Sequence, residues 1–304
     1  MKRNYLLILL ILAMLVASCA APASKTEQTS ETYPLTLKNA LGEEFVLEKE
    51  PERIISLEPS ATEILFAIGA GDKVVARNDY DEFPPEAMEL PSVGSMMDPS
   101  LEAIVAAEPD LVVASNFLSP EMVQKVLDTG IAIVSLDETT SVQATLENIL
   151  HIGKIVNRED GAKKVVDDMK STLEEVQKAV EGVEKVSVYY VVGFGEGGDY
   201  TATGDTFIHD MLTLAGGDNV AGDTEGWSYN LETLLQKDPQ VVIVATEWDT
   251  KSLFLAEEGY QELSAVKNQQ VYEIDTDLLQ IQGPRVAQGV LEIAKILHPD
   301  KFTP

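Results

Sequence analysis

The chain has 304 residues, enough for about two domains of ordinary size. It contains 51 acidic and 22 basic residues, a formal net charge of −29, which argues against the basic surface that binds nucleic acid. Its apolar fraction of 45% excludes an acidic disordered chain. Its single cysteine argues against an intrachain disulfide or a Cys-based metal site, and its three histidines argue against a His-rich metal site.

The N-terminal segment has the pattern of an export signal. A basic start precedes an apolar run from Tyr5 to Val16, which is shorter than the about 20 residues that a transmembrane helix needs. The run ends in Val-Ala-Ser-Cys19, which resembles a bacterial lipoprotein box, in which the cysteine is lipidated. We therefore expect a signal peptide over residues 1–18, lipidation at Cys19 and a flexible tether over 19–32. The alternative is an ordinary signal peptide with an incidental cysteine.

Beyond the tether, short apolar runs alternate with helical patterns. Arg53–Leu57 predicts a strand, and Ser60–Glu63 has the spacing of a capping box that begins a helix ending at Gly69. Further strands are predicted at 74–75, 111–113 and 131–136, and further helices at 101–107 and 120–128. This alternation indicates an α/β architecture with a mainly parallel sheet.

The pattern changes from about Ser141 to Val180, where the chain is charged and helical with no strand candidate. Asn157–Asp160 is expected to break this stretch, which leaves a second helix over about Gly161–Val180. Strands are then predicted again at 186–192, 241–245 and 271–274. The expected organisation is an N-terminal lobe over 33–142, a helical connector over 143–182 and a C-terminal lobe over 183–304.

The two halves repeat each other at a constant offset. Leu101-Glu102 precedes a Pro-initiated apolar strand, and Leu231-Glu232 does the same in the second half. Two similar lobes would leave a ligand cleft between the C-terminal ends of their strands. The repeat is explained either by shared ancestry of the two lobes or by convergence of their loops.

The two glutamates of the repeat each lie in the first turn of a predicted helix. A favourable interaction with the helix dipole, worth about 0.3–1 kcal/mol, explains a glutamate at one such position, but it does not explain why both lobes have one at the same place. Symmetric carboxylates at Glu102 and Glu232 would suit docking to a two-fold partner with two basic sockets.

The loops expected at the cleft carry candidate ligand contacts. Met96-Met97 could form an adaptable apolar wall, and Trp227 a rigid aromatic contact, with a Trp at the edge of the core as the alternative. Gly193–Gly198 matches a dinucleotide-binding glycine pattern, but it does not open a predicted helix and it carries Glu196, so we reject that interpretation. Because the sequence also lacks motifs for a nucleophile and its base, a secreted hydrolase is a remote alternative.

From about Pro51 onward the sequence resembles the ABC-transporter substrate-binding proteins for vitamin B12, iron-siderophores and heme. The motifs that carry this resemblance are Pro51–Leu57, Pro59–Gly69, Asp81–Ala87, Ser100–Glu102, Gly216–Val220 and Gly283–Arg285. Within this family, the Ser-Ala-Thr-Glu-Ile-Leu motif followed by Phe-Pro-Pro most resembles the cobalamin-binding branch. The resemblance implies two Rossmann-like lobes with parallel-type sheets, joined by a long rigid helix, and no catalysis.

The family also implies roles for individual residues. Tyr80, Trp227 and Asp277 match ligand contacts, Ser60 and Tyr200 are weaker matches, and Glu102 and Glu232 match glutamates that engage arginines of the permease dimer. Met96-Met97, Ser115 and Ile281 depart from residues seen in some cobalamin binders. Arg77 and Arg285 are the only basic candidates near the cleft loops, which disfavours a highly anionic chelate.

The expected function is therefore capture of cobalamin or a related corrinoid and its delivery to an ABC permease dimer with its ATPase. We expect an exported monomer without a cofactor, anchored by lipid to the outer face or periplasmic side of the cell membrane. Heme or an iron-siderophore is the alternative ligand. A structural or adhesive surface protein is a further alternative, which the paired glutamates disfavour.

Overall fold

The structure is a computed structural model that describes residues 33–136 and 139–302. The predicted signal peptide, Cys19 and the tether lie outside the described residues. None of the helices within the described ranges combines the length and the apolar character that a membrane span requires. The described residues all belong to one compact unit.

The first half is built on a parallel sheet. Strands β1 (Leu35–Lys38) and β2 (Glu44–Leu47) form an antiparallel pair that precedes it. The sheet itself has four strands, in the order β4-β3-β5-β6, with bounds β3 (Ile54–Ser56), β4 (Val74–Ala76), β5 (Leu111–Ser115) and β6 (Ala132–Leu136). Every residue of β5 is buried, as expected for a strand covered on both faces.

Four helices accompany this sheet: α1 (Pro59–Ala67), α2 (Pro85–Met88), α3 (Leu101–Ala106) and α4 (Pro120–Asp128). The predicted capping box was wrong. Helix α1 begins at Pro59, its N-cap is Glu58, and no side chain caps it, because proline at the first helical position needs no N–H partner. The side chains of Thr62 and Glu63 instead bind Asp81 and Arg285.

The helical connector is present as α5 (Val142–Ile155) and α6 (Glu159–Val180). Asn157, with φ of 55°, lies in the break between them. Buried residues of both helices, such as Ile149 and Val166, share one apolar cluster with Val113 of the first sheet and Ile243 of the second. The connector therefore ties the two sheets together through a common core. The predicted lobe boundaries stay predictions.

The second half contains a six-stranded sheet. Its strands are β7 (Val186–Gly193), β8 (Asp199–Thr201), β9 (Gly217–Asn219), β10 (Ser228–Tyr229), β11 (Val241–Ala245) and β12 (Val271–Ile274). Strands β9, β7, β11 and β12 are parallel, and β8 and β10 extend the sheet in antiparallel pairs. The helices are α7 (Phe207–Leu214), α8 (Leu231–Lys237), α9 (Thr250–Ala256), α10 (Ser264–Lys267), α11 (Asp277–Gln280) and α12 (Val286–Leu297). The glycine pattern after β7 opens only a short 3-10 turn over Gly195–Gly197.

Candidate functional site

A cleft of about 740 Å³ lies at the C-terminal ends of strands from both sheets. Its lining comes from the segments after β3, β4, β5, β6 and β12, from the end of β7, from the start of α7 and from the segment around Trp227. Small-molecule sites typically enclose about 300–1,000 Å³, so this cleft suits a large ligand. The position agrees with the sequence-based expectation.

The walls of the cleft are apolar and come from both halves. Met96 and Phe117 contribute from the first half, and Val192 and Trp227 from the second. Phe117 is 54% exposed and Trp227 is 40% exposed. Large apolar side chains left this accessible on opposite sides of a cleft are available to contact a flat or bulky ligand.

Trp227 is held in a strained backbone conformation, with φ of 68°. Its backbone N–H donates to Thr203 Oγ1 at 3.2 Å, and its carbonyl oxygen accepts from the N–H of Thr201 at 2.9 Å. A non-glycine residue in the left-handed region costs about 1–3 kcal/mol and persists only where its surroundings fix it. These contacts fix the position from which the indole lines the cleft.

The structure brings some of the predicted ligand contacts together and leaves others apart. Met96 and Trp227 line the cleft, and Ser60 lines a side pocket of about 80 Å³ that shares Glu58 and Phe117 with it. The remaining candidates, which do not belong to either lining, are Tyr80, Met97, Tyr200 and Asp277. Their roles stay predictions.

Sequence reasoning did not single out Glu58 or Phe117 as ligand contacts. Each lies shortly after a strand of the first sheet, Glu58 after β3 and Phe117 after β5. The available signal was their position in loops already assigned to the cleft, but neither residue type matched a motif. Gln280 and Gln282 also line the cleft, in the segment that follows β12.

The cleft carries no basic side chain among the residues that the structure describes; its ionisable lining residues are Glu58 and Asp205. The two arginines singled out in the sequence are engaged elsewhere. Arg77 donates to the carbonyl oxygens of Asn78 and Met88, and Arg285 forms an ion pair with Glu63. A polyanionic chelate would therefore lack charge complementarity in this cleft.

The loop after β4 is pinned by a buried carboxylate. Asp81 is 2% exposed, and it accepts hydrogen bonds from Thr62 Oγ1 at 2.8 Å and from Asn78 Nδ2 at 2.6 Å. Asn78 in turn accepts from the backbone N–H of Tyr80 at 2.8 Å. Burial raises the pKa of Asp81 to about 6, although these hydrogen bonds lower it.

This raised pKa predicts a pH-dependent stability term. The ordinary value is 3.8, so between about pH 4 and pH 6 the folded protein binds more protons at Asp81 than the unfolded chain, and stability falls as pH rises. The amide side chain introduced by Asp81→Asn cannot titrate. The difference in unfolding free energy between the wild type and D81N should therefore shift against the wild type by about 3 kcal/mol from about pH 3 to pH 7. Urea unfolding of both proteins at each pH measures this difference. A difference that is flat with pH would contradict the assignment.

Contacts between residues far apart in sequence connect the two halves of the chain. Arg285 donates to both carboxylate oxygens of Glu63, with Nη2 to Oε1 at 2.6 Å, and its guanidinium lies 4.5 Å from the ring centroid of Phe83. The side-chain amide of Gln282 accepts from the N–H of Thr139 at 2.9 Å and donates to its carbonyl oxygen at 3.0 Å. These bonds join the segment before α12 to α1 and to the loop after β6.

Glu102 and Glu232 occupy the same place in two similar local structures. Each is exposed and is the second residue of its helix, α3 or α8. Ser100 caps α3 by accepting from the N–H of Ala103, and Asn230 caps α8 by accepting from the N–H of Thr233. The sequence repeat thus places one exposed carboxylate at the start of each helix.

The repeat extends to how each helix joins its strand. Glu108, at φ of 47°, follows α3, and Asp238, at φ of 43°, follows α8. The side chain of Asp110 then accepts from the N–H of Arg53 at 3.0 Å, next to β3, and the side chain of Gln240 accepts from the N–H of Ser187 at 2.9 Å, in β7. The helices that carry Glu102 and Glu232 are therefore joined to their sheets by equivalent connections.

Comparison with known proteins places these features in context. A family model described as "Periplasmic binding protein" matches residues 54–278. The chain is 34% identical to the uncharacterized ABC transporter substrate-binding lipoprotein YvrC of Bacillus subtilis, over 97% of this chain and 96% of that protein.

Solved structures share the fold. A protein of Staphylococcus epidermidis, named as a possible iron-binding (periplasmic solute-binding) protein, matches with a TM-score of 0.73 and 30% identity over 82% of this chain and 100% of that one. The periplasmic vitamin B12 binding protein BtuF of Vibrio cholerae matches with a TM-score of 0.69 and 27% identity over 83% of this chain and 99% of that one.

Proposed function

Because the chain belongs to the periplasmic binding protein family, we propose that it captures cobalamin or a related corrinoid and delivers it to the permease of an ABC importer. It is an extracytoplasmic substrate-binding component of such a transporter and not an enzyme. The two-lobed α/β fold with a cleft at the strand ends is the architecture that this role uses.

The observation that carries the corrinoid proposal is the chemistry of the cleft. Its apolar walls, Met96, Phe117, Val192 and Trp227, suit the faces of a macrocycle, and its described lining holds amides and hydroxyls but no cation. Heme carries carboxylates, which this lining would leave without basic partners, whereas the corrin rim carries uncharged amides. Relatives named for vitamin B12 binding support the same choice. Heme or an iron-siderophore stays the alternative, because a relative is named for iron binding.

Titration of the protein separately with cyanocobalamin, hemin and a ferric hydroxamate tests this proposal. Calorimetry should give saturable binding of cyanocobalamin, with hemin and the hydroxamate much weaker. No heat with cyanocobalamin together with saturable binding of hemin would overturn the corrinoid assignment in favour of the alternative.

Replacing Trp227 with alanine should weaken cyanocobalamin binding by about 30-fold, the scale of roughly 2 kcal/mol lost when a buried aromatic contact is removed. Trp248 is the matched control, because it is the other tryptophan and is 82% exposed outside the cleft lining. Trp248→Ala should keep both the affinity and the ligand-induced fluorescence change, whereas Trp227→Ala should lose the fluorescence change. The opposite pattern would contradict the role of Trp227.

The remaining sequence-based assignments belong to this proposal. Four residues outside the cleft lining are proposed to contact the bound ligand: Tyr80, Met97, Tyr200 and Asp277. The permease is proposed to be engaged by Glu102 and Glu232. Cys19 is proposed to carry the lipid anchor, since the relative from Bacillus subtilis is named a lipoprotein. Incorporation of labelled fatty acid that is lost in Cys19→Ser would test the anchor.

A further inference from the structure

Glu58 stands at a junction between the cleft and its side pocket. It is the N-cap of α1, just beyond β3, and it lines both cavities. Its Oε1 accepts from Ser60 Oγ at 3.3 Å. Its Oε2 is buried and has no hydrogen-bond partner among the described residues. A buried polar atom without a partner costs about 1–3 kcal/mol, and Glu58, which carries this atom, lines both cavities, where a ligand can supply a hydrogen-bond donor to the carboxylate.

The side pocket is small and lined by hydrogen-bonding groups. Its volume of about 80 Å³ exceeds the ~30 Å³ share of one liquid water, so it has room for one short polar arm of a larger ligand. Apart from Glu58, its lining in the described part of the chain is uncharged: Ser60, Ser115, Asn116, Phe117, Leu136, Asn148, Gln280 and Gln282. Amides and hydroxyls both donate and accept, which matches the C=O and NH₂ of a carboxamide.

The electrostatic surroundings of Glu58 are negative. Burial raises the pKa of Glu58, hydrogen bonds from the side chains of Ser60 and Ser115 lower it, and the nearby carboxylate of Asp81 also raises it. No lysine, arginine or histidine among the described residues lines the pocket to offset that charge. An incoming carboxylate would therefore meet a like charge at short range when Glu58 is ionised, whereas an amide N–H could donate to the Glu58 carboxylate.

We propose that Glu58 is a specificity-determining residue that accepts a ligand arm ending in a carboxamide and rejects an arm ending in a carboxylate. This inference rests on the proposed function, because corrinoids carry carboxamide arms around the ring whereas heme carries propionates. The side pocket receives one such arm while the ring contacts the apolar walls of the cleft.

The test compares cyanocobalamin with each monocarboxylic acid obtained by hydrolysing one of its amide arms. The acid and the amide have nearly the same shape and differ in charge. For the wild type, at least one acid should bind about tenfold or more weakly than cyanocobalamin, since juxtaposed like charges cost several kcal/mol. In Glu58→Gln, which keeps the shape of the side chain and removes its charge, this ratio of Kd values should shrink by at least about fivefold. Glu121→Gln, an exposed position on α4, should leave the ratio unchanged.

The outcomes separate the inference from the proposed function. Equal affinity of the wild type for cyanocobalamin and every acid, or a ratio that E58Q does not change, overturns the role of Glu58 while the corrinoid assignment stands. Failure of the wild type to bind any corrinoid, with binding of hemin or a ferric hydroxamate, overturns the proposed function and the inference with it. Thermal unfolding of E58Q checks that the variant is folded, and the ratio of affinities is insensitive to a loss of active protein.

Discussion

Reversing the charge at Glu102 and Glu232 together is expected to abolish uptake of labelled cyanocobalamin by cells that carry the variant, while its Kd stays within about twofold of the wild type. Both carboxylates are exposed at the starts of α3 and α8, outside the lining of the cleft. If each fits a basic socket of a permease dimer, a lysine in its place puts like charges in contact. This repulsion costs several kcal/mol at each socket. Because 1.4 kcal/mol already corresponds to a tenfold loss of affinity, the variant should no longer dock.

A double variant with the same change in net charge serves as the control. Glu121→Lys and Glu174→Lys reverse exposed glutamates on α4 and α6, which are not related by the repeat. This control should support normal uptake, and single reversals at Glu102 or Glu232 should give intermediate rates. Normal uptake by the Glu102→Lys/Glu232→Lys protein would contradict the docking role, as would loss of cyanocobalamin binding by the purified variant.

The fold follows closely from local sequence patterns. Strand β11 was predicted with the bounds that the structure has, and so was helix α4, because a continuous apolar run and a serine cap before Pro120 are local signals. The capping box at Ser60–Glu63 was wrong because the partner of Glu63 is Arg285, far along the chain. Spacing within four residues cannot reveal a contact that only the tertiary structure creates.

The candidate site was predicted less completely than the fold. Trp227 was found because a tryptophan in a polar, glycine-flanked loop is unusual, and it does line the cleft. Glu58 was passed over because a glutamate in an acidic chain is unremarkable by itself. Its distinguishing property is a buried oxygen without a described partner, and burial of a single atom depends on tertiary packing that the local sequence does not encode.

Replacing Arg285 with alanine is expected to lower the free energy of unfolding by about 3–5 kcal/mol, the cost of removing one partner from a buried ion pair. The side chain of Glu63 is 2% exposed and that of Arg285 is 20% exposed. Without the guanidinium, the carboxylate of Glu63 would stay buried and lose the hydrogen bonds to Arg285. Urea unfolding of the full chain measures this change.

A double-mutant cycle separates the loss of the pair from the burial of an uncompensated charge. Arg285→Met keeps apolar contact with Phe83, which lies under the guanidinium, but it still leaves Glu63 without a partner. Adding Glu63→Gln removes that charge, so the E63Q/R285M protein should recover at least about half of the stability that R285M loses. Additive losses in the double variant would contradict this account, because they would mean that Glu63 and Arg285 stabilise the protein through separate contacts. Recovery would show that Arg285 is required chiefly because the buried Glu63 is present. The stability contributions of α1 and of the segment before α12 would then be coupled through this ion pair.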